Sequence, residues 1–226
     1  SHVIECIDQL SPQMDLRVLC GPTGSAKTRV LQALGEAGAQ VLDLEACADH
    51  KGSVLGNVPG VPQPSQKAFE TRVATVLKAL DLGRPVYVEA ESRKIGRIAL
   101  PTALLTALRA GSCIKIVASP EARLDYLLRD YAYLGTDGEA LATTLGLLHG
   151  LQSNETLARW QGWARGGDLA ALFAELMALH YDPLYSRSQH GDFVRWKTAR
   201  EVEAPTLTET ALPELAQRIL ALDATG

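Results

Sequence analysis

The chain has 226 residues, 46% hydrophobic and 21% charged, which suffices for one well-formed core or a core with a small appended subdomain. A formal net charge of −4 excludes whole-molecule attraction to nucleic acid, so any RNA contact has to come from a local basic patch. No apolar run approaches the roughly 18 residues of a membrane span, and SHVIECIDQL carries acids where a signal peptide needs basic and apolar regions. A cytoplasmic protein with no membrane partner is expected. Cys6, Cys20, Cys47 and Cys113 form no C-x-x-C pair and read as buried, reduced thiols rather than a zinc site.

Residues 1–15 read as a linker with a tag remnant at Ser1 and His2. LRVLC (16–20) is a short apolar run ending at a glycine loop, the pattern of a buried strand. KTRVLQALGEAG places Val30, Leu31, Ala33, Leu34 and Ala37 on one face before a glycine stop, which predicts an amphipathic helix. AQVLDLE (39–45) predicts a second strand. A long loop rich in Gly, Pro and Ser follows, then a helix over 67–80 and a third strand within GRPVYVEAES (83–92). LPTALLTALRAG (100–111) is a helix, CIKIVAS (113–119) a fourth strand, and PEARLDYLLRDYAYLG a helix opened by proline. Residues 136–180 are helical in pattern, HYDPLYSRS (180–188) a loop, DFVRWKTA (192–199) a last strand, and PTLTETALPELAQRILAL a closing helix.

Strands alternating with helices predict an α/β fold, a P-loop-type parallel sheet flanked by helices with a helical insert lobe. The expected units are a core over 16–135, the lobe over 136–180 and a return to the core over 181–226, with the strand-loop-helix at 16–37 central.

CGPTGSAKT (20–28) carries this reading. Gly21, Lys27 and Thr28 fit G-x-x-x-x-G-K-[ST], and Ala26 stands at the second glycine position. A loop between an apolar strand and a helix brings backbone N–H groups and the positive helix end to one point, suited to phosphate. Lys27 would reach the terminal phosphate, and Thr28 would hold Mg²⁺ or a phosphate oxygen. A right-handed Ala26 fits the backbone and only its methyl must be accommodated. A left-handed one carries roughly 1 kcal/mol of strain or more.

Ligands of open α/β sheets gather at the carboxyl ends of strands. Glu89 and Glu91 end the third strand and Asp43 and Glu45 the second, placed to hold a Mg²⁺-bound water or act as a general base. Two groups mix charge with aromatics or follow a strand end: Arg93, Lys94 and Arg97, then Tyr185, Arg187, Arg195, Trp196, Lys197 and Arg200. They suit phosphate contact with base stacking, and equally a solvated face around a core tryptophan. His50 and His180 have no spaced partner and read as structural.

LCGPTGSAKT, LDLEACADHKGSVLG, QPSQKAFE, VEAESRKIGR and HYDPLY occur in this order, and together they resemble the P-loop domain of bacterial tRNA 2-selenouridine synthases, also called tRNA 2-thiouridine geranyltransferases. The resemblance runs from about residue 16 onward, and QPSQ-x-x-FE and VE-x-ESR are more specific than the P-loop. It implies a transferase that moves a geranyl group from geranyl diphosphate to the sulfur of wobble 2-thiouridine in tRNA, before selenium replaces the S-geranyl group. It also implies an N-terminal rhodanese-like domain with a catalytic cysteine, which these residues are not expected to contain, so selenophosphate is a partner only with that domain. The partners implied here are tRNA and geranyl diphosphate.

Carried onto this chain, the diphosphate set is Gly21, Thr23, Gly24, Ser25, Ala26, Lys27, Thr28, Lys51 and Ser53, and the catalytic set Lys27, Glu89, Glu91 and Arg93. No tightly bound cofactor is expected. The chain departs from the family at Ala26, where glycine is usual, and at Lys51, where arginine is usual and bidentate geometry is lost. Two other readings are a small-molecule kinase with Arg123 and Arg129 as lid arginines, and a non-catalytic tRNA-binding module.

Overall fold

The computed structural model describes residues 1–224, with the side chain of His190 left aside. Helix α1 (His2–Leu10) opens the chain, and β1 (Leu16–Cys20) leads through the loop 21–26 into α2 (Lys27–Glu36). Next come β2 (Gln40–Leu42), α3 (Leu44–Ala48), α4 (Gln66–Ala79) and β3 (Val86–Glu89). A small antiparallel hairpin, β4 (Lys94–Ile95) and β5 (Ile98–Ala99), precedes α5 (Thr102–Ala110), β6 (Ser112–Val117) and α6 (Pro120–Asp130). Helices α7 (Gly138–Leu145), α8 (Asn154–Gly166) and α9 (Leu169–Leu176) run into a π-helical turn (Met177–Tyr181), then α10 (Asp182–Asp192), β7 (Arg200–Glu203) and α11 (Leu212–Ala224).

The main sheet has the order β2-β3-β1-β6-β7, and every pairing in it is parallel. Strand β1 lies at its centre, with Val18 opposite Val88 on one side and Cys113 on the other. Side chains alternate across a strand, so β1 feeds two cores. Leu16, Val18 and Cys20 join Ile7, Phe69, Leu77, Leu104 and Leu108 on the face covered by α1, α4 and α5. Leu19 joins Val30, Leu34, Leu215 and Ile219 on the face covered by α2 and α11. A third cluster around Leu145, Trp160, Leu172 and Phe173 lies among α7, α8 and α9.

Four stretches differ from the sequence expectation. Residues 1–15 are not a linker: Ile7 is fully buried, and Val3, Ile4 and Leu10 pack on the first core, an i, i+1, i+4, i+7 stripe that makes α1 a structural helix. The second strand stops at Leu42 because the Asp43 carboxylate accepts from the Ala46 amide at 2.9 Å and starts α3. Residues 180–188 are helical, since Pro183 sits in the first turn of α10, where its missing N–H costs nothing. The stretch 192–199 is a turn rather than a strand. Phe193 and Trp196, three apart, both go into the core, the Trp196 amide donates to the Phe193 carbonyl at 3.2 Å, and pairing begins only at Arg200.

Candidate active site

The loop after β1 is tightly folded on itself. A side chain at Gly21 would meet Ser25 Cβ at 2.8 Å, and Gly24 has φ 89°, open without strain only to glycine. Ser25 donates to the Pro22 carbonyl from its hydroxyl at 2.6 Å and from its amide at 3.1 Å. Ala26 has φ 60° and ψ 27°, so the left-handed alternative is the one realised. Its methyl is buried against the second core. No side chain caps the first turn of α2, which leaves the helix N-terminus open toward the cavity. Lys27 is held back over the loop, its Nζ donating to the Gly21 carbonyl at 2.6 Å.

Three carboxylates converge beside this loop. Thr28 Oγ1 lies 2.9 Å from Glu45 Oε2 and 2.9 Å from Glu89 Oε1, and its single proton serves one acceptor at a time. One oxygen each of Glu45, Glu89 and Glu91 falls within 4.8 Å of the others. Burial raises the pKa of all three. For Glu89 and Glu91 the negative charge of Glu45 raises it further, while Lys27 opposes the shift. Asp43 stays outside this group as the cap of α3. The hard oxygen donors fit Mg²⁺, which would relieve the repulsion.

Lys51 comes from the loop after α3. Its Nζ donates to the Asp130 carbonyl at 3.0 Å, pairs with the Asp130 carboxylate at 3.2 Å, and lies 4.4 Å above the Tyr131 ring and 4.8 Å from that of Tyr133. Arg123 is buried and fully engaged. It donates to the Thr23 carbonyl and to Asp182, while Arg129 donates to the Leu207 carbonyl and pairs with Asp125. Neither is a free lid arginine.

Two cavities meet here. The larger, about 430 Å³, is walled by the loop from Pro22 to Arg29, the three glutamates, Lys51, Ser53 and Tyr126. Beside it runs a narrow apolar cleft with about 10 Å³ free, lined by Leu55, Phe173, Leu176 and Tyr181. Thr23, Ser53, Leu127 and Tyr131 line both. The resemblance brought Thr23 and Ser53 to the site and implied a groove for a hydrocarbon tail, but no residue lining the apolar part of the cleft was named from sequence. Its one sequence sign is the acid-aromatic run Asp130-Tyr131-Ala132-Tyr133.

The basic residues do not form one surface. Arg93, Lys94 and Arg97 are exposed on the β4–β5 hairpin, which continues from the carboxyl end of β3 and is braced by Gln63 through the Arg97 amide at 2.8 Å and the Ile95 carbonyl at 3.0 Å. Arg195 bonds Ser112, the first residue of β6, and Arg200 opens β7 and pairs with Asp223. Both therefore sit at the amino edge of the parallel sheet, opposite the P-loop. Arg187 is exposed on α10, and Lys197 is exposed in the turn before β7. Trp196 is only 8% exposed, with Tyr185 edge-on at 5.9 Å and Lys115 over its ring at 3.9 Å. The expected stacking platform is a core tryptophan. His50 is also structural, buried and accepting from the Gly52 amide at 2.9 Å.

A family profile described as the tRNA 2-selenouridine synthase AAA domain matches residues 14–159. A protein named tRNA 2-selenouridine synthase from Nitrosomonas europaea is 39% identical over 141 residues, 61% of this chain and 36% of that protein. One of the same name from Cupriavidus pinatubonensis is 35% identical over 193 residues, 84% of this chain and 51% of that protein. The chain thus spans between 36% and 51% of the length of these relatives. A shikimate kinase from Acinetobacter baumannii in complex with shikimate is 18% identical, with a TM-score of 0.40 over 96% of this chain and 97% of that one. Among the described residues no helix is long and apolar enough to cross a membrane.

Proposed function

The chain belongs to the tRNA 2-selenouridine synthase family, and on that premise we propose that its P-loop holds geranyl diphosphate while the geranyl group passes to the sulfur of 2-thiouridine in a tRNA. One observation carries this reading: the phosphate loop and an apolar cleft share Thr23, Ser53, Leu127 and Tyr131. A ligand with a multiply charged head and a hydrocarbon tail needs that junction, whereas a nucleotide needs no apolar cleft there. A ten-carbon tail needs more room than the cleft's about 10 Å³, so its entry requires Leu127 and Leu176 to move apart.

In this reading the diphosphate lies on the open N-terminus of α2. Lys27 turns from the Gly21 carbonyl to the terminal phosphate, and Lys51 turns from Asp130. Arg93 follows β3 on the same edge of the sheet but is exposed and does not line the cavity, so in this reading it acts on the leaving group only from the rim. Thr28, Glu45, Glu89 and Glu91 would hold Mg²⁺, whose charge would favour departure of the diphosphate. The thiouridine sulfur is a soft nucleophile, so no strong protein base is required. Glu89 and Glu91 therefore serve as metal or water holders rather than as a base. The β4–β5 hairpin, with Arg93, Lys94 and Arg97, receives tRNA phosphates beside the pocket, and the work is done in the cytoplasm. Exchange of the S-geranyl group for selenium, from selenophosphate, is assigned to a rhodanese-like domain and not to this pocket.

The test is incubation of the protein with Mg²⁺, geranyl diphosphate and a tRNA bearing 2-thiouridine, followed by mass analysis of the digested nucleosides. S-geranyl-2-thiouridine is the expected product. Nucleotide-dependent phosphoryl transfer without geranyl diphosphate binding would assign the pocket to a kinase, and tRNA binding with neither would leave a binding module.

A further inference from the structure

Tyr131 stands at the point where the phosphate cavity becomes the apolar cleft, and it lines both. Its ring is fixed from two sides, by Phe173 edge-on at 6.2 Å and by Tyr133 at 5.9 Å. The remaining face looks at the Lys51 ammonium, 4.4 Å from the ring centroid, and Tyr133 offers a second ring to the same charge at 4.8 Å. Tyr131 is 7% exposed and the Lys51 side chain over it 27%, so a cation at this face is mostly, not wholly, withdrawn from water. The Tyr133 hydroxyl is buried without a hydrogen-bond partner, which leaves that residue acting here through its ring.

A place that already holds one cation over two aromatic faces, between a phosphate loop and a hydrocarbon slot, suits a second kind of cation. We propose that Tyr131, seconded by Tyr133, is a catalytic residue whose ring face stabilises the allylic cation formed as the carbon–oxygen bond of an allylic diphosphate breaks. The proposal rests on the geranyl diphosphate reading and deepens it by naming the route of transfer. The bond between C1 and the bridging oxygen breaks with both electrons leaving on the diphosphate. The positive charge spreads over C1 and C3 beneath the rings. A lone pair on the thiouridine sulfur then forms the carbon–sulfur bond at C1, and the N3 proton of the nucleoside passes to water.

Lys51 has to vacate the ring face for this to happen, because two positive charges cannot share it. Its flexible stem and the incoming diphosphate supply the reason and the destination. The lysine thus marks the cation position before the substrate arrives and joins the leaving group afterwards.

The experiment compares the wild-type chain with Tyr131→Phe, Tyr131→Leu and Tyr133→Leu, measuring geranyl diphosphate affinity and the single-turnover rate of transfer to a 2-thiouridine RNA. Tyr131→Phe keeps the ring and should react within about threefold of wild type. Tyr131→Leu should lose roughly 30-fold in rate, as expected for a desolvated cation–ring contact, with affinity changed less than about threefold. Tyr133→Leu, the second variant should Tyr131→Leu not fold, should lose rate in the same way by a smaller factor. A leucine variant that reacts at the wild-type rate, or a loss confined to affinity, overturns the proposal. A wild-type protein that neither binds geranyl diphosphate nor transfers the group defeats the functional reading instead.

Discussion

The guanidinium of Arg123 donates twice to the carbonyl oxygen of Thr23, at 3.0 Å from Nε and 2.9 Å from Nη2. The same head reaches Asp182 at 2.5 Å, so one buried side chain ties the phosphate loop to the start of α10. Arg123→Met keeps the stem and removes these bonds. Asp182 is partly solvated, so most of the cost comes from the Thr23 carbonyl, about 1–3 kcal/mol. A lowered urea midpoint together with weaker diphosphate binding is the expected outcome. Full stability in the variant would show that the loop holds its shape without the arginine.

Ala26 sits at φ 60°, where an L side chain is strained by roughly 1 kcal/mol. Ala26→Gly relieves that strain but loses one buried methyl, about 0.8 kcal/mol, and some unfolded-state restriction, about 0.4–1 kcal/mol, so stability should stay level or fall by less than about 1 kcal/mol. The check is a denaturant curve with unchanged slope and a midpoint equal to or slightly below that of the wild type. A clearly higher midpoint would mean that the backbone strain at Ala26 outweighs the packing of its methyl.

Lys27→Ala removes the lysine that opens α2 and folds back over the loop. A charge-assisted contact contributes about 1.5–3 kcal/mol, so diphosphate affinity should fall by an order of magnitude or more. Calorimetric titration with inorganic diphosphate measures this directly, and equal affinity would place the anion elsewhere.

The glutamate cluster makes a pH prediction. Glu45, Glu89 and Glu91 have raised pKa values in the folded protein, from burial first and, at Glu89 and Glu91, from mutual repulsion next. The folded state therefore binds their protons more tightly than the unfolded state. Their contribution to stability is fully present below the ordinary carboxylate range and is lost as pH rises through the folded-state values. In chelator the unfolding temperature should fall across that interval, and Glu91→Gln should flatten the fall. Added Mg²⁺ should raise the neutral-pH unfolding temperature of the wild type more than that of the variant. A flat profile in chelator, with no Mg²⁺ effect, would remove the cluster from consideration as a metal site.

Neutralising Arg93, Lys94 and Arg97 together should weaken tRNA binding and reduce its dependence on salt, because each lost phosphate contact releases fewer counterions. Geranyl diphosphate binding should stay within about threefold if Arg93 contributes to the leaving group and not to the resting complex. Trp196→Ala should instead act on folding, at about 3–5 kcal/mol for a buried aromatic ring. Unchanged stability with lost RNA affinity would restore Trp196 as a base-stacking residue.

Local signals made the centre of the molecule readable. An apolar strand, a glycine loop and an amphipathic helix adjoin in sequence, so Gly21, Lys27 and Thr28 could be placed from spacing alone. Glu89 followed from its position at a strand end. The apolar cleft could not be read this way, since Leu55, Leu127, Phe173 and Tyr181 come from separate elements that only tertiary packing unites. Trp196 was ambiguous because aromatics among basic residues look alike on an RNA surface and around a core, and burial alone separates the two. Strand β7 was misplaced because Phe193 and Trp196 suggest a strand by composition, while their spacing of three suits one face of a turn.

Strand β1 has no partner close to it in sequence. It pairs with β3, where Leu16 meets Val86, and with β6, where Arg17 meets Ser112, while β2 reaches the sheet only through β3. Such distant pairings make chain assembly slow, because large loops must close before any contact rewards them. The phosphate loop hangs from the last residue of that strand, so its shape is acquired late and all at once. During refolding, the capacity to bind an anion should therefore return together with the slowest recovery of native signal.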